Sequence, residues 1–557
     1  MNMRDWSRRD VLAALVGLPA ASAAVGGCSK ARPPLPAGRI VGASSAFGHR
    51  LRDSAHITPQ SNDWVDTRVV IVGGGVAGYS AARRLLAAGV RDFVLIEIES
   101  EPGGLSRSGK SQVASYPWAA HYLPVPMKEN RALVDLLCEM NVVSEIDAFG
   151  EPIVAPSFLC QEPAERHFAD GRWHADLVDR TGRTAAERTQ FQAFARLIDD
   201  WVAWRDNTGR RAFAIPLNDC SDDPKVTKLD HITMQQWMDQ HGLTSKTLRW
   251  YIDYCCRDDY GMRMGQTSAW AGLFYFASRV RRPGDVAQPL ITWPEGNGRF
   301  ISHMHELIEE EADVRLGLAV TEINCQPAVG DGLEVVAVER DSKAAVGFRT
   351  SHVVFAAPQY LRPFLIRPND TSAPDVRRFE YGSWFVANMH LANPPVERDV
   401  PLAWDNVLHD SQSLGYIVAT HQIAANRSAS RTDGPTVLTY YYPLCEADPA
   451  HARARLLEMD WETCAEIVLN DLERAHPDIR QIVERIDVMR WGHAMVRACP
   501  GFIWSRHRRD ASRPYRRIHF ANSDLSGLPL FEEAFYHGNR AAEEVLSALK
   551  VSFESIL

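Results

Sequence analysis

The stretch VVIVGGGVAGYSAARRLLAAG carries Gly73, Gly75 and Gly78 in the spacing G-x-G-x-x-G, between an apolar β-branched run and an alanine-rich helical pattern. In such a turn the first glycine permits the tight bend, the second lets a pyrophosphate reach the backbone, and the third lets the helix pack close to the strand. The unpaired N–H groups and positive dipole end of the helix then face the anion. Glu97 ends the next apolar run, DFVLIEIES, about 20 residues beyond Gly78, where an acid accepts hydrogen bonds from a ribose diol. Strand, turn, helix, strand and acid together specify a site for an adenine dinucleotide.

Shortly after Glu97 comes a second glycine turn, EPGGLSRSG, with Gly103 and Gly104. This arrangement resembles the flavin-containing amine oxidase superfamily, which includes monoamine and polyamine oxidases, phytoene desaturases and protoporphyrinogen oxidases. The resemblance implies that the acid and the double glycine frame FAD. Two more segments match in order. WPEGNGRFISHMHELIEEEADVRLGLAVTEI has the glycine turn, helix and strand of the family's central segment, and implies that Val320 meets the adenine through its backbone; VVFAAP follows as the strand returning to the nucleotide domain. Near the C-terminus, IHFANSDLSGLPLFEEAFYHGNRAAEEVL resembles the closing flavin motif. Asp524 falls at the acid that holds the ribityl chain or pyrophosphate, and Glu533 and Ala534 fall in the helix aimed at the ring.

Elementary chemistry supports that last assignment. A helix beginning after Gly527-Leu528-Pro529 offers N-terminal N–H groups to negative charge on a reduced flavin. Small Ala534, Gly538 and Ala541 give the same helix a close-packing face. Departures from the family pattern are Glu99 and Leu105, at positions where many amine oxidases carry arginine, and FEYGSWFVANMHL, which lacks the lysine that many use near flavin N5. No cysteine sits in the family's covalent-flavin context, so the FAD is expected to be noncovalent.

Elements that must position substrate are rich in aromatic residues. WYIDYCCRDDYGMRMGQTSAWAGLFYFASR places Asp253, Asp258 and Asp259 among tyrosines and tryptophans, and later segments add Trp384, Trp491, His493 and Arg497. Large aromatics fill cores, yet aromatic faces beside carboxylates also suit a cationic amine. Trp384, Trp491 and His493 are the candidate catalytic residues, His493 being either a core histidine or a substrate-site base. The expected chemistry is hydride transfer from an amine to flavin N5. A desaturase or isomerase of an apolar, polyene-like substrate is the alternative enzyme, and a non-catalytic flavin-binding partner protein is the alternative of another class. The electron acceptor stays open.

The chain has 557 residues, ample for more than one domain, and a formal net charge of -9, which offers no global field for nucleic acid. One dense basic run, from Arg506 to Arg517, reads as a solvated loop, with contact to a lipid surface or acidic partner as the other reading. No zinc-type spacing of Cys and His is present, and no metal is expected. Residues 1–28 read as an export leader, with Arg8-Arg9 resembling a twin-arginine signal and VGGC resembling a lipobox that would lipidate Cys28; ordinary cleavage after Ala23 is the competing reading. Both place the protein in the periplasm, either anchored or soluble. Residues 29–65 read as a linker, with order starting at Thr67. The expected fold class is α/β: a Rossmann-like FAD-binding domain (66–125, 290–370 and 488–557) interrupted by an α+β substrate domain (126–289 and 371–487).

Overall fold

The computed structural model describes residues 33–43, 47–49, 57–177, 183–327, 332–368, 373–423 and 434–557. Arg8, Arg9 and Cys28, on which the expected export leader rests, lie outside them. Two large sheets organise the chain from Leu35 onward.

The first sheet is the nucleotide sheet. Its order is Asp313–Arg315, Phe93–Ile96, Trp64–Val72, Ala345–Phe355, Leu333–Glu339, Leu318–Asn324 and Ile366–Arg367, with Ile518–Phe520 also pairing to Ala345–Phe355. Its central strands run parallel, so both faces must be covered, and VVIV at 69–72 is accordingly buried on both sides. Burying each such side chain contributes about 1.5–3 kcal/mol. Helices Val76–Ala87, Gly298–Glu309 and Phe531–Ala548 cover one face. A second apolar layer, with Phe355, Phe520, Phe502 and Tyr381, covers the other.

The second sheet runs Ala37–Gly42, Val483–Val496, Tyr381–Leu391, Thr436–Leu444, Gly415–Val418, Asp405–Leu408, Glu165–Ala169 and Arg172–His174. Period-two alternation divides its faces. Phe385, Ala387 and Met389 pack under helices Pro449–Glu458 and Trp461–Glu473, while Trp384 and Val386 turn toward helix Lys246–Tyr260. Helices between 185 and 277 form a separate core around Phe213, Trp237, Trp270 and Phe274. That core absorbs most aromatics of the 250–279 segment.

Three sequence expectations change here. Within the expected linker, Ala37–Gly42 is a strand, parallel to Arg485–Met489 at the sheet edge. Order at the nucleotide sheet begins at Trp64 rather than Thr67, because Trp64, Val65 and Asp66 continue the pairing with Gly347–Arg349. The boundary set at 488 falls inside the strand Val483–Val496, which carries the second sheet on to Val496.

Candidate active site

The first glycine turn is shaped by what its residues lack. Gly73 has φ +108°, a left-handed conformation in which a side chain is strained. A Cβ at Gly78 would lie 1.9 Å from the Gly73 carbonyl oxygen, so helix and turn touch only because none is there. Gly75 has an ordinary φ of -86° and nothing within 4 Å of an added Cβ: the space beside it is open, at the uncapped N-terminus of helix Val76–Ala87. That is the cradle a pyrophosphate requires. Gly103 N–H donates to Gly74 O at 2.7 Å, and Gly104 lies beside Gly75, so the second turn closes against the first.

Glu97 is buried next to them. Its two carboxylate oxygens accept from Gly74 N–H at 2.7 Å and Glu99 N–H at 2.9 Å. Burial pushes its carboxyl above the ordinary range, and those two donors partly offset the rise. Each oxygen keeps a lone pair for a ribose hydroxyl. Leu318 N–H donates to Glu97 O at 2.9 Å, which brings the strand carrying Val320 alongside. Glu99 is flanked by Arg340 at 3.4 Å and Arg107 at 3.8 Å. Guanidinium charge therefore stands beside the ribose acid even though 99 is Glu and 105 is Leu.

Asp524 Oδ2 accepts from the Tyr381 hydroxyl at 2.6 Å and from Gln359 N–H at 3.0 Å. These bonds fix it where the returning strand Ala345–Phe355, the second sheet and the closing segment meet. Past it, Gly527 turns the chain, and helix Phe531–Ala548 starts with no side-chain cap. Pro529, Leu530, Phe531 and Glu532 from this start line a cavity. Ala534 follows in the first turns, and an added Cβ at Gly538 would meet Ala77 O at 2.3 Å, so the small face packs against helix Val76–Ala87. Glu533 points into the protein instead of the cavity: it accepts from Leu217 N–H at 2.7 Å and Ser526 OH at 2.5 Å, and burial pushes it up to about 7. Its place is under the helix start, which it steadies.

The cavity lies between the closing helix, helix Lys246–Tyr260 and the second sheet. Trp384 and Trp491 stand directly opposite each other on neighbouring antiparallel strands and both line it. Trp491 Nε1 donates to Trp118 O at 2.9 Å. Tyr441 and His121 add to the aromatic wall, with ring centroids 4.7 Å apart. Burial holds His121 down at about 4, so it brings no positive charge at neutral pH.

His493 is absent from that wall. Its ring stacks on Tyr360, centroids 4.0 Å apart, and meets Tyr381 edge-on. A bulge is responsible: Gly382 pairs with Met495 and Trp384 with Trp491, leaving Gly492, His493 and Ala494 opposite Ser383 alone. The bulge aims His493 toward the Asp524 partner rather than the cavity.

To Asp258 and Asp259, which the sequence had placed among the aromatics, the structure adds Asp405 and Glu532, which it had not. Asp258, Asp259, Asp405 and Glu532 all line the cavity, and the one guanidinium among its lining residues, Arg279, is committed to both oxygens of Asp259 at 2.9 and 2.8 Å. Asp258 receives a long hydroxyl bond from Tyr122, and Asp405 one from Tyr254, each at 3.4 Å. Burial, then the charge of Asp259, pushes Asp258 up to about 7; burial, with Asp259 adding to it, takes Glu532 to about 7; burial, then Asp258, drives Asp405 well above the carboxylate range. Among the described residues, none of these three acids forms an ion pair. Glu532 was adjacent to a residue singled out from sequence, but nothing local in AWDNVL marks Asp405.

The family described as flavin containing amine oxidoreductase matches residues 76–546. No curated protein matches the chain by sequence. Among solved structures, wild-type putrescine oxidase bound to putrescine is similar with a TM-score of 0.62 and 16% identity, over 87% of this chain and 100% of that one. Cyclohexylamine oxidase from Brevibacterium oxydans IH-35A is similar with a TM-score of 0.60 and 14% identity, over 87% and 100%. A CLA-producing fatty acid isomerase from P. acnes shares the fold with a TM-score of 0.58 and 16% identity, over 86% and 98%.

Proposed function

The chain belongs to the flavin-containing amine oxidoreductase family and is an FAD-dependent oxidoreductase; from that premise we propose that its substrate is a cationic amine held in the acidic cavity, with the C–H bond to be broken facing flavin N5. The carrying observation is the set of Asp258, Asp405 and Glu532, one buried and two half-buried carboxylates facing one cavity, none of them in an ion pair among the described residues, with the one lining guanidinium, Arg279, bonded to Asp259. Such a set is costly when empty and is relieved by a positive ligand. An apolar polyene leaves that cost in place, which disfavours the desaturase or isomerase reading.

FAD, when bound, supplies the hydride acceptor. The rest falls to the chain's own residues. Gly75 and the start of helix Val76–Ala87 hold the pyrophosphate, Glu97 the ribose, and Asp524 the connecting chain. Trp384, Trp491 and Tyr441 orient the amine and favour its cation through their faces. Asp258 and Glu532, poised near neutrality, accept at a carboxylate oxygen the proton that the ammonium sheds before oxidation. The uncapped closing helix favours negative charge where its first turn enters the cavity.

Anaerobic titration of the flavin absorbance with monoamines, polyamines, amino acids and polyenes tests this. Bleaching by amines is expected. Bleaching by polyenes alone selects the apolar-substrate enzyme, and no reductant at all selects the non-catalytic partner.

For location, we propose export through the Arg8-Arg9 leader, with Cys28 as a lipid anchor. Arg8→Lys with Arg9→Lys should retain precursor in the cytoplasm, and Cys28→Ala should release the protein from the membrane fraction. Unchanged membrane association of the Cys28 variant overturns the anchor.

A further inference from the structure

Two packed segments, 373–380 and 505–517, present Arg377, Arg378, Arg506, Arg509, Arg513 and Arg517 as exposed side chains on a protein whose net charge is -9. Phe379 meets Phe502 edge-on at 5.0 Å, and His507 lies within electrostatic reach of Asp375, which makes the two segments one face. Its described acids are few. Asp510 bridges Arg506 at 3.0 Å and Arg513 at 3.5 Å, Asp375 holds Arg377 at 2.9 Å, and Glu380 reaches toward buried Arg497. The face keeps a positive excess, Arg378, Arg509 and Arg517 forming no ion pair among the described residues, and such an excess favours a macroanion. Planar guanidinium groups match carboxylates two bonds at a time.

The same helix is bonded to the cofactor's closing motif. Arg508, buried among the exposed arginines, donates to Leu525 O at 2.5 Å and to Ile503 O, and Phe502 packs on Gly527. The turn so braced leads into helix Phe531–Ala548, whose first residues line the cavity. No residue of the basic face lines that cavity, so a partner can dock while substrate is bound. A bilayer fits less well. The most exposed large apolar side chains among the described residues, Phe149 at 71% and Val286 at 85%, lie elsewhere, and neither segment of the face contributes one.

We propose that this arginine face docks an acidic one-electron carrier protein, which reoxidises the cofactor after substrate oxidation. The inference goes beyond the assignment of the substrate. Two oxidised carriers each gain one electron from one reduced flavin, and the hydrogen gained on reduction leaves to solvent as protons.

The test uses FAD-loaded enzyme reduced by light, so its outcome is independent of the substrate. The reduced enzyme is mixed anaerobically with an acidic copper protein or a basic haem protein. The acidic carrier should react about tenfold faster at low ionic strength and slow about tenfold by roughly 0.2 M salt. Arg506→Glu, Arg509→Glu and Arg513→Glu combined should remove that advantage while leaving flavin reduction by amine unchanged. Equal rates for both carriers, unaffected by salt or by the triple variant, overturn the proposal. So does capture of the wild type, but not the variant, on anionic lipid vesicles with carrier rates unchanged, which assigns the face to a membrane.

Discussion

At Gly75 the chain makes a site by withholding a side chain, and at Asp258 it makes one by setting a carboxylate in a cavity wall where, among the described residues, it forms no direct ion pair. The pyrophosphate cradle is backbone drawn from one contiguous stretch, and the atoms that face the anion do not titrate. The cavity is side chain, gathered from helix Lys246–Tyr260, strand Asp405–Leu408 and the closing helix, and its charge state moves near neutrality. Damage therefore has opposite forms in the two regions. Addition should ruin the cradle, and deletion should ruin the cavity.

Gly75→Val gives the largest expected effect. Its Cβ meets open space in the protein, so the variant should fold and purify colourless, with FAD affinity down by at least about 100-fold. Gly78→Ala, three residues on, should do the reverse: its Cβ collides with Gly73 O and costs stability, about 1–3 kcal/mol or more by overpacking, seen as a lowered Tm. A yellow Gly75→Val protein breaks the comparison on the cradle side.

Next in size is Asp258→Asn or Asp405→Asn. Either should keep its flavin yet lower kcat/KM for amines by about 10–100-fold, the loss of one charge-assisted contact. Normal amine turnover in both breaks the comparison on the cavity side.

The pH dependence sharpens it. Asp258 and Glu532 lose their protons at about 7 in the folded chain, against about 4 for ordinary carboxyls. The folded chain holds protons that the unfolded chain has released, so apoprotein stability should fall as pH rises from about 4 to about 7. Amine binding needs the ionised acids and should run the other way, tightening up to about tenfold per pH unit below 7 and levelling above it. Denaturation midpoints and amine titrations across pH 5–9 check both.

The smallest effect belongs to His493→Ala. Stacked on Tyr360 outside the cavity, it should change amine kcat/KM by less than about twofold.

The contrast also explains what could be read from the sequence. Gly73, Gly75, Gly78 and Glu97 are legible because conformation and close approach dictate residue type within one short βαβ unit. Trp384 and Trp491 were identifiable as aromatics, but their face-to-face placement depends on a register fixed by pairing across about 100 residues. Of the two readings open for His493, its absence from the cavity lining favours the packed histidine, because a three-against-one bulge reverses the alternation on which strand reasoning depends. Asp405 carries no local sign, since an acid in a short strand ordinarily faces water. The strand Ala37–Gly42 was hidden in the same way: AGRIVG is short and glycine-flanked, and its partner is far along the chain.

That separation governs assembly. Ala37–Gly42 must wait for Arg485–Met489, about 450 residues later, an interval of roughly 20–90 s at ordinary synthesis rates. The nucleotide sheet waits as well, because Ile518–Phe520 joins it from the last tenth of the chain. The second sheet lacks a central strand until Val496 has been made, and the nucleotide sheet lacks its last strand until Phe520 has followed. Contacts of such long range fold slowly. The first strand is thus among the last segments to lose its freedom, although it is among the first to be made, and its docking onto Val483–Val496 closes the edge of the second sheet.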